Sequence, residues 1–181
     1  RNSKDVPCNT QVYFRCIHDR LDMTVTNRSN DMIWGMYGAN AVHFSMVQEY
    51  VASMVGMSVG KYYQVSNNAH IYMDIWEPLD QKLPIGVAPC FYEISEVKPS
   101  PLVDNPNTFD IESALFFEWL HEGDHFGFKY ENSVFDKTAM PMVEAWWLYK
   151  EGMLSEAIDK AKTILATDWR KACVEWLERK K

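Results

Sequence analysis

A chain of 181 residues is long enough for one domain with a sizeable core, or for one domain with a small appendage. Its formal net charge of −7 excludes a general nucleic-acid binder, which needs clustered lysine and arginine, but leaves room for a small anion held by one or two arginines. The composition is globular, no apolar run reaches the length of about eighteen residues that a membrane span needs, and residues 1–5 carry no apolar leader. Four cysteines (Cys8, Cys16, Cys90 and Cys173) form no C-x-x-C pair, so neither a zinc ribbon nor a disulfide framework is expected. A reduced, cytoplasmic protein fits this usage best.

Residues 10–17 and 21–27 alternate and carry β-formers, with His18-Asp19-Arg20 as a short link. This pattern predicts a β-hairpin with Cys8 just before its first strand and Arg28 just after its second. The ends of a hairpin lie side by side, so Cys8 and Arg28 are expected to be neighbours. Residues 40–56 are apolar nearly all round and predict a long buried helix ending at Gly56. Lys61–Val65 and Ala69–Met73 read as two further strands, and residues 78–108 as loops around one strand near Cys90-Phe91-Tyr92. From Phe109 the pattern is helical, and from Ala139 to Lys181 wholly so, with Asp168 expected to cap the last helix. The stretch from Ala145 to Ala161 resembles one helical-hairpin repeat of the tetratricopeptide kind, but a single copy makes no solenoid and reads as a packed appendage. The expected organisation is an α+β domain over residues 1–138 and a helical appendage over 139–181.

Cys8 gives this pattern chemical meaning. A thiol attacks as its thiolate, which a nearby guanidinium stabilises while it grips an anionic substrate. The run Arg28-Ser29-x-Asp31-x-x-x-Gly35 follows Cys8 at an interval of twenty residues, and Asn40 and His70-x-Tyr72 come after it. Alone, Asp31 would be a turn or cap, Asn40 a helix cap, and His70 and Tyr72 ordinary half-buried residues on one strand face.

In joint register, these motifs resemble the thymidylate synthase family, which includes the phage pyrimidine nucleotide hydroxymethylases. One extra residue stands between Gly35 and Asn40, where Met36-Tyr37-Gly38-Ala39 replaces the family's three-residue link. The resemblance implies an α+β fold, a twisted mixed sheet with a long buried helix, joined here to a C-terminal all-helical appendage. It implies that Cys8 adds to C6 of a uracil ring, that Arg28 and Ser29 hold the 5′-phosphate, and that Arg28 also stabilises the thiolate. Asn40 would read the pyrimidine edge, His70 and Tyr72 would bond the 3′-hydroxyl, and Asp31 would face the pterin of 5,10-methylenetetrahydrofolate, the one-carbon co-substrate. It also implies a homodimer formed through the sheets.

Departures from the family pattern are Asn9 for the usual His, Tyr13 for Gln, Asn27 for Gln, and Asn67-Asn68 for a Gly-Asp pair. The family's upstream catalytic Glu, folate-stacking Trp and partner-donated arginines precede its nucleophile. With seven residues before Cys8, an N-terminal portion is expected to be missing. The family's folate-closing tail has no recognisable equivalent here.

His121-Glu122-Gly123-Asp124-His125 matches the H-E-x-x-H zinc pattern, with Glu144 nineteen residues beyond it. Gly123 in its middle reads as a turn leading to a strand at Phe126–Tyr130, so no metal is expected. An Asn at position 40 favours dUMP over dCMP. A methyl product is ranked first, a hydroxymethyl product second, and a non-catalytic nucleotide-binding or scaffold protein last.

Overall fold

In a computed structural model, which describes residues 8–82, 91–95, 97–122 and 128–180, the chain opens with the expected hairpin, β1 (Asn9–Ile17) and β2 (Arg20–Asn27). The two linking residues, His18 and Asp19, adopt φ of 46° and 60°, the left-handed pair of a tight turn whose twist matches that of the strands. Strand β4 (Ser58–Ser66) runs parallel to β2, giving the order β1-β2-β4. Beyond the ends of β2 and β4 the pairing resumes as a two-residue parallel ladder of β3 (Asn30–Asp31) and β5 (Ala69–His70).

Strand β2 alternates strictly, with Leu21, Met23, Val25 and Asn27 buried on one face. Against the sheet, α1 (Asn40–Met54) seats Gln48 and Ala52, while Val42 and Val47 on the same helix remain exposed. Gly56, at φ 69°, follows its end as expected. Gln48 does more than fill space. The register slips between Leu21 and Met23, and Gln48 Nε2 donates to the Leu21 and Lys61 carbonyls at 2.7 and 3.1 Å. Asp22 Oδ1 accepts from Lys61 N at 2.7 Å, so the bulge leaves none of these groups unpaired.

Three expected strands are corrected. β5 ends at His70: Tyr72 precedes α2 (Met73–Asp80), and its carbonyl accepts from Ile75 N and Trp76 N. Asp74 in that first turn favours the helix N-terminus. Phe91–Ile94 forms a single helical turn, α3, which satisfies its backbone locally where a lone strand would have no partner. Cys90 lies outside the described residues. Residues 128–130 form no strand. Tyr130 is instead buried with Trp119, Phe135 and Met140, and residues 126 and 127 lie outside the described residues.

The chain divides into two compact units, Arg1–Ala88 and Pro89–Lys181. The second is helical, with α4 (Phe109–Glu122), α5 (Met140–Lys150), α6 (Leu154–Ala161) and α7 (Thr167–Glu178). Ala145, Ala157, Ile158, Ala161, Ile164 and Leu177 form the core of the last three helices. Asp168 lies inside the first turn of α7, whose N-cap is Ala166, and its carboxylate accepts from the Tyr92 hydroxyl and from Trp169 N, both at 2.9 Å. No helix of the described residues is long and apolar enough to cross a membrane.

Glu112 holds the loops of this unit to α4. It is 2% exposed and accepts from Glu131 N, Asn132 N and Asn132 Nδ2, each at 2.9 Å. Burial raises its pKa, but the hydrogen bonds from Glu131, Asn132 and Thr108 outweigh burial and hold the carboxyl below its ordinary value. The unfolded chain therefore binds the proton more readily. The stabilisation is complete above the ordinary value of 4.5 and is lost as pH falls through the lower folded value. Glu112→Gln sets one N–H against another and is expected to cost about 1–3 kcal/mol at neutral pH. Urea unfolding followed from pH 7 down to 3 is expected to show a shallower acid dependence for this variant than for the parent.

Candidate active site

The tandem parallel pairing gathers the sequence-predicted residues. Arg28 N donates to the Cys8 carbonyl at 2.9 Å, closing the hairpin mouth and making the two residues backbone neighbours. Cys8 is half-buried and Arg28 is exposed. Asn67 N donates to Asn27 O and Asn30 N to Asn68 O, both at 2.9 Å, so residues 27–31 run beside residues 66–70. Across this seam Ser29 Oγ lies 3.5 Å from His70 Nδ1. The His70 and Tyr72 rings meet edge to face with centroids 5.3 Å apart, although Tyr72 lies beyond the strand that was expected to carry both.

Asp31 caps the wide helical segment Met32–Ala39. Its Oδ1 accepts from Ile33 N at 3.0 Å and from Trp34 N at 2.5 Å, while Oδ2 is buried without a partner among the described residues. The segment closes wide at its end. Asn40 N bonds the carbonyl of Gly35, five residues back, the closure that a one-residue insertion produces in a helix. Gly38 breaks the segment at φ −108° and ψ −120°, and a Cβ there would lie 2.6 Å from the Ile33 carbonyl oxygen.

Sequence reasoning missed a line of amides behind these residues. Asn40 Nδ2 donates to Asn30 Oδ1 at 3.0 Å, and Asn30 Nδ2 donates to Gln64 Oε1 at 3.0 Å and Ser66 Oγ at 3.2 Å. Gln64 Nε2 in turn donates to the Met36 carbonyl at 2.7 Å. Asn30 is only 3% exposed. One signal was present in the sequence: Gln64 and Ser66 occupy the inward phase of β4, where an apolar residue is the usual choice. A Cβ on Gly35 would strike Asn30 Oδ1 and come within 3.2 Å of Asn40 Nδ2, so the amide pair fits only against a glycine. Beside Cys8, Asn9 Nδ2 donates to Asn27 Oδ1 at 2.7 Å, and Asn27 Nδ2 is buried without a partner among the described residues. Burial pushes the Tyr62 hydroxyl up to about 12, so it stays protonated as it reaches 3.5 Å from the Asn40 carbonyl.

The H-E-x-x-H pattern does not assemble a site among the described residues. His121 and Glu122 close α4, residues 123–127 lie outside the described set, and Glu144 pairs with Lys160 at 2.9 Å.

The thymidylate synthase family profile matches residues 2–98. A deoxyuridylate hydroxymethyltransferase of Pseudomonas phage M6 is 40% identical over 194 residues, covering 100% of this chain and 54% of that protein. A deoxyuridylate hydroxymethyltransferase of Bacillus phage SP01 is 44% identical over 73 residues, 40% of this chain and 19% of its own. A thymidylate synthase of Streptococcus sanguinis (strain SK36) is 33% identical over 96 residues, 53% of this chain and 33% of its own. The chain thus spans about half the length of the phage M6 protein and smaller shares of the other two. On the profile match over more than half its residues, the chain belongs to the thymidylate synthase family.

Proposed function

We propose that the chain carries the nucleophile and nucleotide-binding part of an enzyme that transfers a one-carbon unit from 5,10-methylenetetrahydrofolate to C5 of dUMP. The observation that carries this reading is the seam itself, where Cys8 and Arg28 meet at the hairpin mouth and Ser29 lies against His70. Phosphate binding suits Arg28 and Ser29, an exposed guanidinium beside a hydroxyl. The His70 and Tyr72 pair is positioned for a sugar hydroxyl. Asn40 retains its Oδ1 and one N–H for a pyrimidine edge.

Addition of Cys8 Sγ to C6 forms the S–C6 bond and moves the C5–C6 π electrons towards O4, which makes C5 nucleophilic. C5 takes the one-carbon unit supplied by methylenetetrahydrofolate. C5 then loses its proton and the electrons of that C–H bond expel the folate nitrogen, leaving an exocyclic methylene on C5. Water adds to that methylene and gives up a proton, and the electrons so returned reform the C5–C6 double bond as Sγ leaves. Asp31 fits a role towards the pterin, since Oδ1 is spent on the helix cap and the buried Oδ2 is left to accept from a ligand N–H.

A hydroxymethyl product is favoured by the whole-chain likeness to the phage M6 protein, where the sequence alone ranked the methyl product first. Cys8, Cys16 and Cys173 are free thiols, in keeping with the reducing cytoplasm proposed for this protein. The outer sheet face suits a second copy of the chain. Rows Tyr13–Thr24–Tyr63 and Gln11–Thr26–Val65 cross it, with Tyr13, Tyr63 and Val65 exposed at 52%, 45% and 55%.

Tritium release from [5-³H]dUMP with methylenetetrahydrofolate is expected, and Cys8→Ala is expected to slow it by about 10³-fold or more. A product heavier than dUMP by a hydroxymethyl group supports the proposed branch, and a methyl mass overturns it. Binding of dUMP without any release would instead mark a nucleotide-binding protein. Tyr63→Lys with Val65→Lys is expected to convert a dimer to monomers in sedimentation equilibrium. A parent that sediments as a monomer would refute the sheet-face homodimer.

A further inference from the structure

A carboxamide at position 40 does not by itself choose a base. Uracil presents an acceptor at O4 beside a donor at N3–H, and cytosine presents a donor at N4 beside an acceptor at N3. Turning an Asn side chain by a half-circle about its last bond exchanges oxygen for nitrogen, so a freely turning Asn40 satisfies either edge. Choice requires that the amide be prevented from turning.

We infer that Asn30 and Gln64 are positioning residues that lock the Asn40 amide in its uracil-reading orientation, with the Met36 carbonyl as the fixed reference. This rests on the assignment of Asn40 to the pyrimidine edge. A backbone carbonyl can only accept. The Met36 carbonyl therefore draws Gln64 Nε2 to itself at 2.7 Å and turns Gln64 Oε1 towards Asn30. Gln64 Oε1 then requires Asn30 Nδ2, found at 3.0 Å, which leaves Asn30 Oδ1 facing Asn40. Asn30 Oδ1 accepts from Asn40 Nδ2 at 3.0 Å. Three flexible amides are thus ordered by one group that cannot reverse.

Reversing Asn40 alone would set its Oδ1 against Asn30 Oδ1 at hydrogen-bond distance, and reversing all three would set Gln64 Oε1 against the Met36 carbonyl. Either move replaces an attraction with a repulsion, and near the buried Asn30 water cannot relieve it. Ser66 Oγ, 3.2 Å from Asn30 Nδ2, gives no direction of its own, since a hydroxyl donates as readily as it accepts. Gln64 is therefore the link that transmits the sense.

The wide closure before Asn40 supplies the reference. In an α-helix Asn40 N would bond the Met36 carbonyl four residues back, but here it bonds Gly35 instead. Gly35 lies beside the amide pair, where a Cβ would strike Asn30 Oδ1.

The test compares tritium release from [5-³H]dUMP and [5-³H]dCMP by the parent chain, by Gln64→Met, and by Gln64→Met combined with Asn30→Asp. With Gln64 removed, Ser66 can donate to a reversed Asn30, which would then present its NH₂ to a reversed Asn40. The dUMP-over-dCMP ratio of kcat/KM is expected to fall about tenfold or more. An Asp at position 30 only accepts, so it should again require Asn40 Nδ2 and restore most of that ratio in the Gln64→Met background, a rescue that general loosening would not give. Equal losses on both nucleotides, with the ratio intact, overturn the inference and leave the dUMP reading standing. No release by the parent overturns that reading and this inference with it. Should Gln64→Met fail to fold, exchange of the side-chain NH₂ protons in the ¹⁵N-labelled parent decides. Slow exchange at Asn30 and Asn40 supports the lock, and free exchange at Asn40 refutes it.

Discussion

Backbone hydrogen bonds from Asn67 N to Asn27 O and from Asn30 N to Asn68 O carry the parallel pairing of β2 and β4 past the strand ends and into β3 and β5. That continuation places Asn30 and Asp31 beside Ala69 and His70. It sets Ser29 against His70, and it fixes Asn30 where it meets both Gln64 and Asn40. The hairpin adds Cys8 at one end through the Arg28 N to Cys8 O bond. A one-residue slip of this register would turn each of these side chains to the opposite face. The bulge at Gly60, tied by Gln48 and Asp22, therefore protects the site as well as the sheet.

Polarity is concentrated where the sheet would ordinarily be apolar. Asn27, Asn30 and Gln48 are all buried, and Gln64 and Ser66 face inward beside them. Buried amides are tolerated only when their hydrogen bonds are made, since an unmade one costs about 1–3 kcal/mol. Asn30 meets that condition fully, with three partners. Asn27 Nδ2 and Asp31 Oδ2 do not. Satisfied amides of this kind hold geometry.

What could be read from the sequence follows the range of the interactions concerned. The hairpin was legible because its turn, its alternation and the adjacency of Cys8 and Arg28 are local consequences of a short link. Helix α4 and the helical hairpin of α5 and α6 were legible from periodicity. The strand expected at Ala69–Met73 stops at His70, and Phe91 and Tyr92 lie in a helical turn, because β-forming residues need a partner edge and local pattern does not reveal how far one extends. Asp168 was read as a cap from position alone, while its contact with Tyr92 lies 76 residues away. The Asn30, Gln64 and Met36 relay was illegible for the same reason, as its partners stand 34 and 28 residues apart. The wide closure before Asn40 needed coordinates.

Glu112 is a useful contrast to these site residues. A buried carboxylate with a displaced pKa is a common signature of catalysis. Here, however, both oxygens are occupied, Oε1 by Glu131 N and Oε2 by Asn132 N and Nδ2. Asn132 is itself saturated, its Oδ1 accepting from Asp104 N and Asn105 N at 2.8 Å. A catalytic acid must hold a proton that it can give, and a catalytic base must keep a lone pair free for a substrate. Glu112 does neither, since its hydrogen bonds keep it ionised and occupy it. Its displaced pKa therefore measures how firmly the loops are tied to α4.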